Sequence, residues 1–242
     1  MIIFYTDIIK EEVAELPTDE ALHCLITLRK RVGDKVQFVD GKGNWYKGAI
    51  IGVGKRSVTI GINSVTENYN KRNHYLHIAI ALTKNITRFE WFLEKATEFG
   101  IDEITPLICQ RSERKRVRID RLEKVVKSAM KQSLKAYLPK LNEPILFNDF
   151  VQRQEETEIE GEKQLFIAHC QDGFTDEKHH LKNMASANSH VTILIGPEGD
   201  FTNNEVQLAL DCGYQEISLG NERLRTETAG IAACHLITLA NS

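Results

Sequence analysis

The pattern of apolar and polar positions divides the chain in two. In the first seventy residues, short β-type runs alternate with glycine-bearing turns. They cover residues 1–5, 36–40, 45–51 (after the turn Gly41-Lys42-Gly43-Asn44) and 57–62 (after Gly54-Lys55). Strands this closely spaced, joined by tight turns, predict a small β-barrel. Residues 21–31 carry the one helical pattern in this part. Residues 68–73 are polar and patternless, which places a boundary between a barrel over 1–70 and a second domain over 74–242.

From His74 the rhythm becomes strand then helix. Residues 77–82 form an apolar strand, and Phe89, Phe92, Leu93, Ala96 and Phe99 then recur at helical spacing up to Gly100, a helix-ending glycine. A strand over 103–109 follows. Asp120 with Glu123 reads as a capping box for a helix reaching about Tyr137. Residues 165–168 and 191–195 are continuous apolar runs, as in strands buried on both faces. Thr202 and Glu205 cap a helix closed by Gly213, residues 217–219 form a strand, and residues 224–240 a final helix. This alternation predicts an α/β domain with a mainly parallel sheet.

Composition narrows the class. With 42% apolar and 27% charged residues the chain is ordinary for a folded protein, and no run approaches the roughly 20 apolar residues that cross a bilayer. The start lacks the basic leader of a signal peptide. Five scattered cysteines, never spaced C-x-x-C, predict a reduced cytoplasmic chain. The adjacent pairs His169-Cys170 and His179-His180 lack ligand spacing, so no metal is expected.

Net charge is −3, yet charge is unevenly spread. Residues 111–140 hold eleven Lys or Arg against three acids, while 149–162 hold six acids and one Arg. A local basic field attracts phosphate whatever the global sum. Candidate RNA contacts are Arg111, Arg114, Lys115, Arg116 and Arg118. Lys124, Lys127, Lys131 and Lys135 follow at spacings of three and four, opposite Leu122, Val125, Val126 and Ala129.

Two segments stand where chemistry belongs. Ile195-Gly196-Pro197-Glu198-Gly199-Asp200-Phe201 leaves a buried strand and enters a capped helix, and residues 219–230 do the same. Ligands of open α/β sheets bind beyond the carboxyl ends of strands. Either loop alone reads equally as a tight connection; together they read as walls of one pocket. Glu198, Asp200 and the missing G-K-[ST] argue against a phosphate loop.

IGPEG at 195–199 and LRTETA at 224–229 resemble the ribosomal RNA small subunit methyltransferase E family, uridine-N3 methyltransferases of the SPOUT superfamily. His23 and Arg29 before Val32-Gly33-Asp34, KATEFG at 95–100, ITPL at 104–107, Arg111, Gln132-Ser133 and Pro139 extend the resemblance over most of the chain. It implies a PUA-like, RNA-binding barrel, with Arg29 among its contacts, and a C-terminal domain tied in a trefoil knot. It also implies a homodimer acting on 16S rRNA of the small subunit with S-adenosylmethionine. Leu194, Ile195, Gly196, Pro197, Glu198 and Gly199 would form one wall of the donor pocket. Leu219 and Gly220 would form a second, and Leu224, Arg225, Thr226, Thr228 and Ala229 a third.

Three positions depart from the family pattern: Asp200 stands for a glycine, Glu222-Arg223 for an arginine near 222, and Lys135 for an arginine. A uridine ring nitrogen must lose its proton before it attacks. Arg225 is the expected cation that stabilises the resulting anion, and Glu198 or Glu227 the expected proton acceptor. Two rivals stand beside this: a non-catalytic RNA-binding protein of the same fold, and a methyltransferase acting on ribose hydroxyls or transfer RNA.

Overall fold

The structure, a computed structural model, describes residues 2–155, 162–171 and 178–242. It forms two units: Met1–Lys71 with Lys127–Leu138, and Arg72–Val126 with Pro139–Ser242.

The first unit is a six-stranded sheet of β1 (Phe4–Tyr5), β2 (Ile9–Lys10), β3 (Val13–Glu15), β4 (Lys35–Val39), β5 (Trp45–Val53) and β6 (Val58–Thr66). Their order is β1-β4-β5-β6-β3-β2, antiparallel except for β1 beside β4. The sheet curls around Val36, Phe38, Ile50, Val58 and Ile60, alternate residues of successive strands that meet Phe4, Leu16 and Cys24. The helix expected over 21–31 starts earlier and ends sooner. It is α1 (Thr18–Leu22) continued by a π-helical turn, His23–Thr27, and Arg29 at φ 53° stops it.

Residues 127–138 join this unit although they lie far along the sequence. Met130 and Ala136 pack with Ile3, Val39 and Trp45. The Gly43 amide donates to the Ala136 carbonyl at 3.0 Å, and a Cβ on Gly43 would sit 2.3 Å from Tyr137 Cζ. A boundary at 68–73 does not anticipate the insertion, because such pairing leaves no local periodicity.

The second unit is an all-parallel sheet of β7 (Tyr75–Ala81), β8 (Glu103–Ile108), β9 (Lys140–Leu141), β10 (Ile145–Leu146), β11 (Lys163–Ala168), β12 (His179–His180), β13 (His190–Ile195) and β14 (Gln215–Ser218). Its order is β10-β8-β7-β13-β11-β14-β12, with β9 beside β8. Helices α2 (Ile86–Phe99), α3 (Ile119–Gln132), α4 (Phe147–Glu155), α5 (Leu181–Met184), α6 (Asn203–Asp211) and α7 (Thr226–Ala240) complete it, the end of α3 belonging to the first unit. Phe147, Phe150 and Val151 of α4 and Val206 and Ala209 of α6 share a core with Ala79, Leu107, Ile167 and Leu194 of the sheet.

Local signals set several ends. Asn85 caps α2 by accepting from the Thr87 amide, and Gly100 at φ 88° closes it. Thr202 and Glu205 form the expected capping box of α6. Helix α3 departs from expectation at both ends. It begins at Ile119, so Asp120 lies inside its first turn, paired with Arg118, and does not stand ahead of the helix as an N-cap. It stops at Gln132, with Leu134 left-handed at φ 55°, which leaves Lys135 beyond the helical stripe.

Helix α7 returns from β14 to pack on α2 and β7 at the other side of the sheet. A Cβ on Gly230 would meet Phe92 Cε2 at 2.6 Å and Ile80 Cδ1 at 3.0 Å, so only glycine permits that approach. At its start, the buried Thr226 hydroxyl donates to the Gly196 carbonyl at 3.0 Å. The start of α7 is thereby tied to the loop after β13.

Candidate active site

Strands β13, β11 and β14 are neighbours, and their carboxyl ends align: Ala168 pairs with Ile195 on one side and with Ile217 on the other. The loops leaving these three ends enclose a cavity of about 1080 Å³, lined by residues 195–200, 217–220, 222–226 with Ala229, and 168–171 with Lys178. Arg88 of α2 also lines it. The position is the one that open parallel sheets give to ligands.

The two loops singled out from the sequence thus face one cavity, joined by the Thr226–Gly196 hydrogen bond. Ile195, Gly196, Pro197, Glu198, Gly199, Leu219, Gly220, Leu224, Arg225, Thr226 and Ala229 all line it. Leu194 does not. As the alternate residue of a strand it points the other way, fully buried in the core. Thr228 does not either, since it projects from the exposed side of the first turn of α7.

The three residues expected to act chemically fall in different environments. Arg225 is exposed and is the N-cap residue of α7. Glu198 is exposed at the rim, and its Oε1 accepts from the Lys84 amide at 2.9 Å, tying the loop after β7 to the loop after β13. Glu227 is buried and does not line the cavity.

With 195–199 counted as one wall and 219–229 together as a second, the sequence reading missed a third. His169 and Glu216 form a buried pair, Nε2 to Oε1 at 2.8 Å, at the ends of β11 and β14. The Gln171 amide donates to His169 Nδ1 at 3.1 Å, which assigns the proton to Nε2 and leaves the ring neutral. Burial and the Lys178 ammonium both push its pKa down. Lys178 also donates to the carbonyls of His169 and Gln171. No glycine or motif marks this wall in the sequence. It follows only from the partnership of residues on two separate strands.

Asp200 accounts for its own departure from the family pattern. It sits at φ 62°, a backbone region that glycine occupies freely and aspartate tolerates when its side chain bonds locally. Oδ1 accepts from the Phe201 amide at 2.8 Å, and Oδ2 from the Cys170 amide at 2.9 Å and Gln171 Nε2 at 3.1 Å. The carboxylate thereby ties the third wall to the first.

The basic segment divides on inspection. Arg111 Nη1 donates to the Gly199 carbonyl at 2.8 Å and to that of Phe201 at 3.2 Å. Arg114 donates to the carbonyls of Thr83 and Lys84. Both guanidinium groups hold loops at the cavity. Lys115 and Lys124 are exposed, Lys127 lies 5.4 Å over the Tyr5 ring, Lys131 pairs with Glu20, and Arg29 is exposed on a left-handed turn.

The cavity fits an adenosyl sulfonium donor. Gly196, Gly199 and Gly220 stand in its lining, and Gly220, at φ 127°, opens onto free space. Glu198, Asp200 and Glu222 line it beside Arg88, Lys178, Arg223 and Arg225, which suits a donor that carries both a sulfonium and a carboxylate.

Fold and cavity together define an RNA methyltransferase of SPOUT type. The RNA methyltransferase domain family matches residues 70–238, and an RNA methyltransferase PUA domain matches residues 16–63. The ribosomal RNA small subunit methyltransferase E of Rickettsia conorii is 29% identical over 232 residues, 94% of this chain and 90% of that protein. The "probable rRNA-methyltransferase" of Porphyromonas gingivalis superposes with a TM-score of 0.89 at 35% identity, covering 100% of this chain and 98% of the other. A Legionella pneumophila protein solved with the cofactor SAM gives 0.83 at 26% identity, covering 99% and 98%. The chain belongs to the ribosomal RNA small subunit methyltransferase E family.

Proposed function

We infer that this protein, acting in the cytoplasm as a homodimer, methylates N3 of a specific uridine in 16S rRNA of the small subunit, using S-adenosylmethionine. The reading is carried by the cavity at the ends of β13, β11 and β14, whose glycine-bearing loops suit the donor. The relative from Rickettsia carries the small-subunit name, and the one from Legionella was solved with the donor bound. Residues 1–70, joined by 127–138, serve as the RNA-binding unit, and Arg29, Lys115 and Lys124 contact phosphate.

When bound, the donor supplies an electrophilic methyl group, which leaves by in-line displacement, so positioning contributes much of the rate. Residues 195–199, 219–220, 224–226 and Ala229 hold and orient it. Arg225 at the rim faces the acceptor. Glu198 accepts the N3 proton through its Oε2, its other oxygen being engaged with the Lys84 amide. The acceptor atom lies on the pairing edge, so the base enters unpaired or flipped out of its stack.

Calorimetry with S-adenosylmethionine tests the pocket directly. Ribosomal RNA from cells lacking the protein tests the reaction, because a methyl on the pairing edge stops reverse transcriptase. One stop should vanish and return on treatment with purified protein and donor. Persistence of every stop would refute the assignment.

A further inference from the structure

Glu227 presents a problem in electrostatics. It lies in the first turn of α7, is 6% exposed, and its Oε2 is buried without a hydrogen-bond partner among the described residues. Its other oxygen has one charged neighbour, Arg88 Nε at 3.8 Å. Burying a carboxylate is costly unless it is paired and hydrogen-bonded, and here the pairing is loose. A group kept at such a cost calls for a specific explanation.

Arg88 supplies one. It stands in the first turn of α2, the single residue of that helix to reach the cavity, with 40% of its side chain exposed. Its Nε faces the buried carboxylate, and the described residues offer its outer nitrogens no partner. A planar fork with an anion near its Nε and its outer nitrogens unengaged is suited to planar oxygen acceptors. Arg225, by contrast, has no carboxylate partner among the described residues. A cation fixed before reaction needs no reorganisation when charge develops, and such donors contribute most to rate.

We propose that Arg88 binds the carbonyl oxygen of the target uracil that takes up negative charge when N3 is deprotonated, and that Glu227 is its positioning residue. This rests on the uridine-N3 reading above. The anion forms only on the acceptor during the reaction, so Arg88 acts on the chemical step and on the acidity of the base. Glu227 acts through Arg88, which explains a buried acid beside, but outside, the cavity wall.

The test uses the full-length protein with three variants: Arg88→Gln, Arg88→Lys, which keeps charge without the fork, and Glu227→Gln, which keeps shape without charge. Donor affinity is read by calorimetry, and kcat as a function of pH on small-subunit substrate. Arg88→Gln should lower kcat by about 100-fold, leave the donor Kd within about two-fold, and move the basic rise of the pH profile upward. Arg88→Lys should recover part of the rate. Glu227→Gln should lower kcat less, with the same upward displacement of the profile. An unshifted profile in all three variants, or a loss confined to donor affinity, would overturn the proposal, the latter placing Arg88 on the carboxylate of the donor. If the wild-type protein binds donor but leaves the small-subunit stop unrestored, the N3 reading itself fails, whatever the variants do.

Discussion

Asp200 carries two opposed energies at one position. Its left-handed backbone costs about 1 kcal/mol relative to glycine, while its carboxylate accepts three hydrogen bonds that join two walls of the cavity. Bonds to a charged acceptor are worth more than this strain. Asp200→Ala keeps the strain and loses the bonds, and should cost about 2 kcal/mol in chemical denaturation; Asp200→Gly relaxes the strain and should cost about half that. Arg111 shows the same logic with function attached. Its guanidinium holds the carbonyls of Gly199 and Phe201, so Arg111→Ala should weaken donor binding about tenfold by calorimetry, the equivalent of one lost charged hydrogen bond. The salt dependence of RNA binding should stay unchanged in that variant, whereas replacing the exposed Lys115 and Lys124 should flatten it.

At the level of elements, Gly230 sets helix propensity against packing. Alanine inside a helix is ordinarily about 1 kcal/mol better than glycine. Here the added methyl would enter the Phe92 ring at 2.6 Å, and overpacking of that kind costs roughly 1–3 kcal/mol. Packing wins, so Gly230→Ala should lower Tm, and Gly230→Val should lower it further. Elements whose signals are local were legible: α2 from Asn85, its apolar stripe and Gly100, and α6 from its capping box. The two glycine loops of the cavity were legible for the same reason. Helix α4 was not, because Phe147, Phe150 and Val151 are too few, over nine residues, to set a helical period. Strands of two residues, such as β2 and β12, are too short to show alternation. The third wall stayed hidden because His169 and Glu216 are 47 residues apart, and only the sheet order brings them together.

Stability as a whole should depend on pH through a buried cluster far from the cavity's chemistry. His77 of β7 is buried, with Nε2 2.7 Å from the Thr105 hydroxyl, Nδ1 3.9 Å from Glu103 Oε2, and Phe150 edge-on to its ring. Burial pushes its pKa down to about 4, the nearby Glu103 pulling up and Lys140 down. Glu103 is itself pushed up by burial, but His77 and hydrogen bonds from Lys140, Tyr75 and Asn142 outweigh that and hold it at about 2. The unfolded chain protonates its histidine near pH 6.5 and the folded chain does not. Between pH 6.5 and 4 the unfolded state therefore binds the extra proton, and stability falls as pH falls. At about 1.4 kcal/mol per unit this amounts to roughly 3 kcal/mol. Glu103 extends the loss: its contribution is complete above its ordinary value near 4.5 and disappears as pH falls toward 2. Replacing His77 with glutamine should lessen the slope of the upper window, to which His74 and His169, also pushed down by burial, contribute, and should narrow the lower one, because the His77 charge helps hold Glu103 down. Urea midpoints at half-unit steps from pH 7 to pH 3 resolve the two. An unchanged slope between 6.5 and 4 in His77→Gln would show that the histidine is not the group responsible.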